Sequence, residues 1–319
     1  MTLEEFLEDW HSPSDTLLVH TSGSTGKPKP MWVEKSRMRE SALLTCRFLG
    51  LDADCTALLC MPLDYIAAKM MVVRALVCGM RIIDVGVSGH PMASPLIDNE
   101  QIDFAAMVPL QVYNSLQTDR ERERLTQVRH LLIGGGAIDE RMEAQLATFP
   151  HAVWSSYGMT ETLSHIALRK VNGADASQWY YPLEGVLLDV DEDNCLLIDA
   201  PRVCPAVLHT NDVVEYDRAK NAFKVLGRKD HVICSGGVKI QAEEVERMLG
   251  KYLDAPFFIT SQKDEKFGEI VVLVTEYTDK KNLEDIFHNV LPKYWQPKKI
   301  VVVPELPRTE TGKPKRTIL

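Results

Sequence analysis

Apolar positions along this chain fall into short runs separated by longer stretches in which they recur at helical spacing. Leu17-Leu18-Val19 is one apolar run, and Pro30 to Val33 is a second that leads away from it. The stretch between them therefore sits at the tip of a hairpin. Thr56 to Met61, Arg81 to Val85, Phe104 to Val108, Arg129 to Ile133 and Ala152 to Ser155 are further runs of strand length. Helices are predicted between them. One starts at a Ser36 cap, runs to about Leu49 and closes at Gly50. Another spans Ile66 to Cys78, a third opens at Pro109, and a fourth, capped by Asp139, runs to about Thr148. Residues 1–15 read as a polar lead-in. Strands alternating with helices predict an α/β fold whose large N-terminal domain carries a mostly parallel sheet. From about Ser164 to Leu226 the pattern turns strand-rich, with turns at Asp193-Asn194 and near Asn221. After Lys229, helical patterns at Ala242–Leu249 and Leu283–Val290 mix with strands at Phe257–Thr260, Ile270–Thr275 and Ile300–Val303. This predicts a small α+β C-terminal domain, dividing the chain into residues 1–228 and 229–319.

The chain has 319 residues, of which 45% are hydrophobic, enough for one large domain and a smaller one. Its net charge of -9 and pI of about 5.5 argue against nucleic acid or a membrane surface as partner. No apolar run approaches the ~20 residues of a membrane span, and the start of the chain is acidic rather than a leader. The seven cysteines form no Cys-x-x-Cys pair and lie mostly in apolar runs, as reduced core residues of a cytoplasmic protein do.

The hairpin tip, Thr21-Ser22-Gly23-Ser24-Thr25-Gly26-Lys27-Pro28-Lys29, combines glycines, hydroxyls and lysines. Such a loop lets backbone N–H groups approach a polyphosphate. It is not the common phosphate loop of kinases and NTPases: Gly23 and Gly26 are too close together, and Pro28 stands where a metal-binding hydroxyl is needed. Gly134-Gly135-Gly136 lacks the spacing of a dinucleotide fingerprint and by itself is a strand-to-helix turn. In Ser156-Tyr157-Gly158-Met159-Thr160-Glu161-Thr162, Tyr157 can stack on a purine and Thr160 can donate to a phosphate oxygen. Glu161 is a hard oxygen ligand suited to Mg²⁺.

At the hairpin tip the chain resembles the adenylate-forming superfamily of acyl-CoA synthetases, nonribosomal adenylation domains and luciferases, matching Thr-Ser-Gly-Ser-Thr-Gly-x-Pro-Lys at every fixed position. Four further matches follow in order: Tyr157-Gly158-x-Thr160-Glu161, Asp212 of a Thr-Gly-Asp motif, Gly227-Arg228-x-Asp230, and Pro307-x-Thr309-x-x-Gly312-Lys313. The resemblance implies ATP contacts from Thr21, Ser22, Gly23, Ser24, Thr25, Gly26, Lys29, Gly135, Gly136, Tyr157, Gly158, Thr160, Asp212 and Arg228. It implies a hinge at Asp230 and a catalytic Lys313 acting with Thr160 and Glu161, the last also as metal ligand. Asn211 replaces the motif glycine, and an asparagine tolerates the left-handed turn expected there. About twenty residues precede the loop where relatives carry a long segment, which implies a compact form or a partner that completes it. The implied reaction uses ATP, Mg²⁺ and coenzyme A to convert a small carboxylic acid into a thioester through an acyl adenylate.

The stretch from Tyr157 to Ile166, together with Pro62 to Lys69 and Arg74-Ala75-Leu76, is similar to the branch of o-succinylbenzoate–CoA ligases of menaquinone synthesis, with Asp64 where many relatives carry His. This branch implies an acyl pocket from Lys69, Gly134, Ser164 and His165. Another aryl or acyl acid, a carrier-protein acceptor instead of coenzyme A, and a homo-oligomer are all compatible with the sequence.

Overall fold

The computed structural model describes residues 1–20, 29–307 and 315–316. The chain opens with helix α1 (Leu3–His11) rather than a lead-in, closed at its start by a Thr2–Glu5 capping box that buries Phe6 and Trp10. Strands β1 (Thr16–His20) and β2 (Pro30–Glu34) pair antiparallel as the expected hairpin. Helix α2 (Lys35–Leu49) starts one residue before Ser36, and no side chain caps it. Ser36 instead turns back to the Glu34 carboxylate, and the Lys35 ammonium is held by Ser12, so the entry is fixed by tertiary contacts.

Next come β3 (Thr56–Leu59), α3 (Ile66–Cys78), β4 (Arg81–Asp84), β5 (Phe104–Met107), α4 (Pro109–Ser115), α5 (Asp119–Thr126), β6 (His130–Ile133), α6 (Glu140–Leu146) and β7 (Ala152–Gly158). Strands β8 (His165–Lys170) and β9 (Tyr181–Pro182) complete a sheet of order β4-β3-β5-β6-β7-β8-β9. It is parallel from β4 to β7 and antiparallel beyond. The four residues of β3 and of β5 are all buried, which explains their unbroken apolar runs. Strands β10 (Leu187–Val190), β11 (Cys195–Asp199), β12 (Leu208–Asp217) and β13 (Ala222–Arg228) form an antiparallel sheet. The turns before β11 and β13 carry left-handed Asn194 and Asn221.

The remaining elements are β14 (Val232–Ser235), β15 (Val238–Gln241), α7 (Ala242–Leu249), β16 (Phe257–Asp264), β17 (Gly268–Thr275), α8 (Lys280–Val290) and β18 (Lys299–Val302). They form a sheet of order β15-β14-β17-β16, with β18 parallel to β17. Their apolar side chains bury one another in clusters distinct from the large one, whose last member in the chain is Phe223. All seven cysteines are free thiols, and Cys234 is exposed rather than in a core. Among the described residues no helix is long and apolar enough to cross a membrane.

Candidate active site

The carboxyl ends of β5, β6 and β7 open side by side, the position where parallel α/β sheets place their ligands. Val108-Pro109 follows β5, Gly134-Gly135-Gly136 follows β6, and Tyr157-Gly158 ends β7. The Gly134 N–H donates to the Met107 carbonyl at 3.0 Å, and the Ser156 hydroxyl donates to the Ile133 carbonyl at 3.1 Å, so the three ends are tied together. His20, the last described residue before the hairpin tip, makes a parallel bridge to Tyr65, which precedes α3 just beyond β3. The end of β1 thereby meets the same edge of the sheet. Lys29 is exposed at the start of β2; Thr21, Ser22, Gly23, Ser24, Thr25 and Gly26 lie outside the described residues, as does Lys313.

Gly158 has a steric reason. A Cβ there would collide with the Ser164 carbonyl and the His165 backbone, because the chain folds back on itself immediately after β7. The Thr162 hydroxyl organises this turn, accepting from the Met159 N–H at 3.0 Å and donating to the Ser164 carbonyl at 2.7 Å. Thr160 is buried beside it and Glu161 is exposed.

Tyr157, Asp212, Arg228 and Asp230 come together from three separate parts of the chain. The Tyr157 hydroxyl donates to Asp212 Oδ2 at 2.6 Å, while its ring stands edge-on to Phe223 with centroids 4.9 Å apart. Burial, reinforced by the Asp212 carboxylate, holds the phenol well above its ordinary pKa, so it stays a donor. Arg228 reaches Asp212 Oδ1 at 3.4 Å with one nitrogen and Asp230 Oδ1 at 2.9 Å with another. Burial works against the Arg228 charge, but the two carboxylates outweigh it and raise the pKa. Asp230 is lowered in return, its own burial being outweighed by Arg228. Asp212 lies within β12, and Asn211 before it takes no left-handed turn; the strand continues through both, with its register against β11 shifting opposite them between Cys195 and Leu197, which corrects the expected turn.

A second constellation lies between α2, α3 and the start of β8. Arg74 of α3 is 2% exposed. It donates to the Ser164 hydroxyl, its Nε has no partner, and among the described residues no carboxylate pairs with it. Ser164 Oγ lies 3.3 Å from His165 Nδ1, and His165 Nε2 lies 3.0 Å from Thr45 Oγ1. Thr45 in turn donates to the Ser41 carbonyl. Burial, with the Arg74 charge beside it, pushes His165 well below its ordinary pKa, so the ring is neutral. One assignment fits every hydrogen bond of the chain: Arg74 donates to Ser164, Ser164 to Nδ1, Nε2–H to Thr45, and Thr45 to Ser41. In the sequence Arg74 stands within the Arg74-Ala75-Leu76 stretch that carries the branch resemblance, which gives it no role of its own. Lys69 of the same helix points elsewhere, its ammonium 3.0 Å from Met1 Sδ and over the Phe6 ring, and burial lowers its pKa.

The model of the AMP-binding enzyme family matches residues 5–194, more than half of the chain. The chain belongs to the AMP-binding enzyme family. Family relatives include the 2-succinylbenzoate–CoA ligase of Listeria monocytogenes serovar 1/2a, 26% identical over 340 residues, covering 99% of this chain and 72% of that one. The enzyme of the same name from Bacillus cereus strain Q1 is 25% identical over 341 residues, covering 97% and 71%. Among solved members, the acyl-CoA synthetase (AMP-forming)/AMP-acid ligase II-like protein of Dyadobacter fermentans is 33% identical with a TM-score of 0.67, covering 98% of this chain and 91% of that one. The Bacillus subtilis O-succinylbenzoate coenzyme A synthetase, solved with ATP and magnesium ion, shares the fold at 22% identity and a TM-score of 0.77, covering 94% and 68%.

Proposed function

We propose that this family member is an ATP-dependent, AMP-forming acid–CoA ligase that activates o-succinylbenzoate through an acyl adenylate. The convergence of Tyr157, Asp212 and Arg228 beside the glycine turn carries the nucleotide half of this reading. Asp212 presents a carboxylate to ribose hydroxyls, Tyr157 a ring face to the purine, and Arg228 a cation beside both. Thr160 donates to phosphate oxygens. Among the described residues no three His, Cys, Asp or Glu side chains gather as a metal cage. A magnesium ion entering with ATP therefore needs one carboxylate besides the phosphates, and the exposed Glu161 fits that need. The ion neutralises phosphate charge.

The acid's carboxylate attacks the α-phosphorus and pyrophosphate leaves; the thiol of coenzyme A then displaces AMP. Neither step needs a protein nucleophile, and the site offers positioning and charge instead. Lys313 supplies the cation of the first step. Residues 229–319 turn about Asp230 between the steps. The reaction is assigned to the cytoplasm, where the free cysteines stay reduced.

The substrate assignment rests on Arg74. A buried guanidinium without a carboxylate calls for an anion from outside, and o-succinylbenzoate brings a carboxylate beyond the one that reacts. Gly134, Ser164 and His165 complete the pocket wall, and Lys69 is the second candidate cation. Incubation with ATP, magnesium, o-succinylbenzoate and coenzyme A should yield the coenzyme A thioester, detected by mass. Release of adenylate that only a carrier-protein thiol consumes would move the acceptor, and no adenylate with any carboxylic acid would overturn the reading.

A further inference from the structure

Helix α7 touches the rest of the molecule at both of its ends. At its N-terminal end, Gln241 Nε2 donates to the Arg228 main-chain carbonyl at 2.9 Å and to Glu243 Oε2 at 2.5 Å. Glu243 also pairs with His231, next to the hinge residue. Burial raises the Glu243 carboxyl, but His231, Gln241 and Arg316 outweigh it and keep the group charged. These side chains lie so close on the end of β13 that a Cβ at Gly227 would strike both the Gln241 amide and the Glu243 carboxylate. Only a residue without a side chain lets the small domain sit there.

At the other end, charges of opposite sign meet α6. Glu140 faces Lys251 at 3.2 Å and Arg247 at 3.7 Å, and Arg141 pairs with Asp254. The signs are reciprocal: a carboxylate and a cation on α6 meet two cations and a carboxylate from α7 and the turn after it. Helix α6 follows the Gly134–Gly136 turn directly and is held to β8 by the buried Glu143–Arg169 pair, at 3.0 and 3.1 Å. The surface that α7 meets there is thereby tied to β8 and to the glycine turn.

We propose that α7 is a two-ended clamp that sets the orientation of the small domain, holding the junction through Gln241 and Glu243 and the large domain through Arg247, Lys251 and Asp254. This rests on the reading that the two half-reactions use two orientations of that domain. Loosening either end depopulates the orientation seen here, so one half-reaction slows while the other does not.

Glu140→Lys places three cations together at the outer end. The rate of pyrophosphate release from ATP and acid, and the rate of thioester formation from supplied acyl adenylate, are measured separately. Their ratio should change by about threefold or more, the scale set by exposed ion pairs. Adding Lys251→Glu should restore it, which a general loss of structure would not do; Arg247, held more closely by Glu244 of its own helix at 2.6 Å, is left in place. Gln241→Ala should shift the ratio in the same direction from the inner end, so the test stands even if one variant folds poorly. Equal change in both half-reactions, an unchanged ratio, or failure of the swapped pair to restore it would overturn the clamp. Lys313→Ala keeps the two readings apart. If it spares thioester formation while the clamp variants change nothing, the clamp alone falls. If it abolishes both half-reactions equally, the two-orientation reading falls, and the clamp with it.

Discussion

Replacing Arg74 by methionine, close in length and apolar, separates a ligand-binding cation from a structural one. Burial pulls the guanidinium from its ordinary range down to about 10, which corresponds to about 3 kcal/mol held against the charged form in the fold. Arg74→Met removes that cost. It also removes the hydrogen bond to Ser164, worth about 1.5–3 kcal/mol for a charged donor. The two nearly cancel, so urea unfolding should show stability unchanged within about 1 kcal/mol, or slightly raised. The ligand has no such compensation. A substrate carboxylate that loses its buried partner forfeits about 3–5 kcal/mol, so kcat/KM for o-succinylbenzoate should fall by roughly two to four orders of magnitude. KM for ATP should hardly move, and a monocarboxylic acid such as benzoate should be turned over no worse than before. A loss of stability of several kcal/mol, with activity falling alike on both acids, would show that Arg74 is a strut and refute the reasoning. If Lys69→Met raises KM for o-succinylbenzoate and Arg74→Met does not, the cation is Lys69.

His165 titrates below its unfolded-state pKa of about 6.5 because burial opposes its charge. The contribution it makes is therefore full above that pH and is lost as pH falls toward the folded value, at up to about 1.4 kcal/mol per pH unit. His165→Gln should remove this slope from unfolding curves taken between neutral and mildly acid pH; an identical slope would place the titration elsewhere. Asp230→Pro fixes φ at the junction and should leave pyrophosphate release in place while slowing thioester formation; normal rates for both would move the hinge. Tyr157→Phe should cost about 1–3 kcal/mol of stability by leaving Asp212 Oδ2 without its donor while keeping the edge contact with Phe223. An unchanged unfolding midpoint would show that water replaces the hydroxyl.

Strand and helix positions were legible wherever local signals and packing agree. The span Ile66–Cys78 with its left-handed Gly79 cap, Pro109 opening α4 and the Asp139 cap were all readable from residue type and spacing. Helix α1 was missed although its capping box is explicit in Thr2 and Glu5, because a stretch of nine residues shows too little apolar periodicity. Asn211 was misplaced because a residue that tolerates a turn does not require one. Tyr157, Asp212, Arg228 and Asp230 were nameable from their motifs, but their mutual contacts depend on how β7, β12 and β13 pack. The roles of Arg74 and Gln241 were illegible for the same reason: Arg74 lay in a matching stretch, but a buried guanidinium without a carboxylate and an amide laid on a distant carbonyl are products of tertiary packing.

Release of pyrophosphate from ATP, followed with o-succinylbenzoate and with benzoate at equal concentration and without coenzyme A, separates a site that needs the second carboxylate from one that does not. Pyrophosphate and acyl adenylate should form together with o-succinylbenzoate and hardly at all with benzoate. Formation of ADP, or pyrophosphate release indifferent to the second carboxylate, would contradict the proposed reaction.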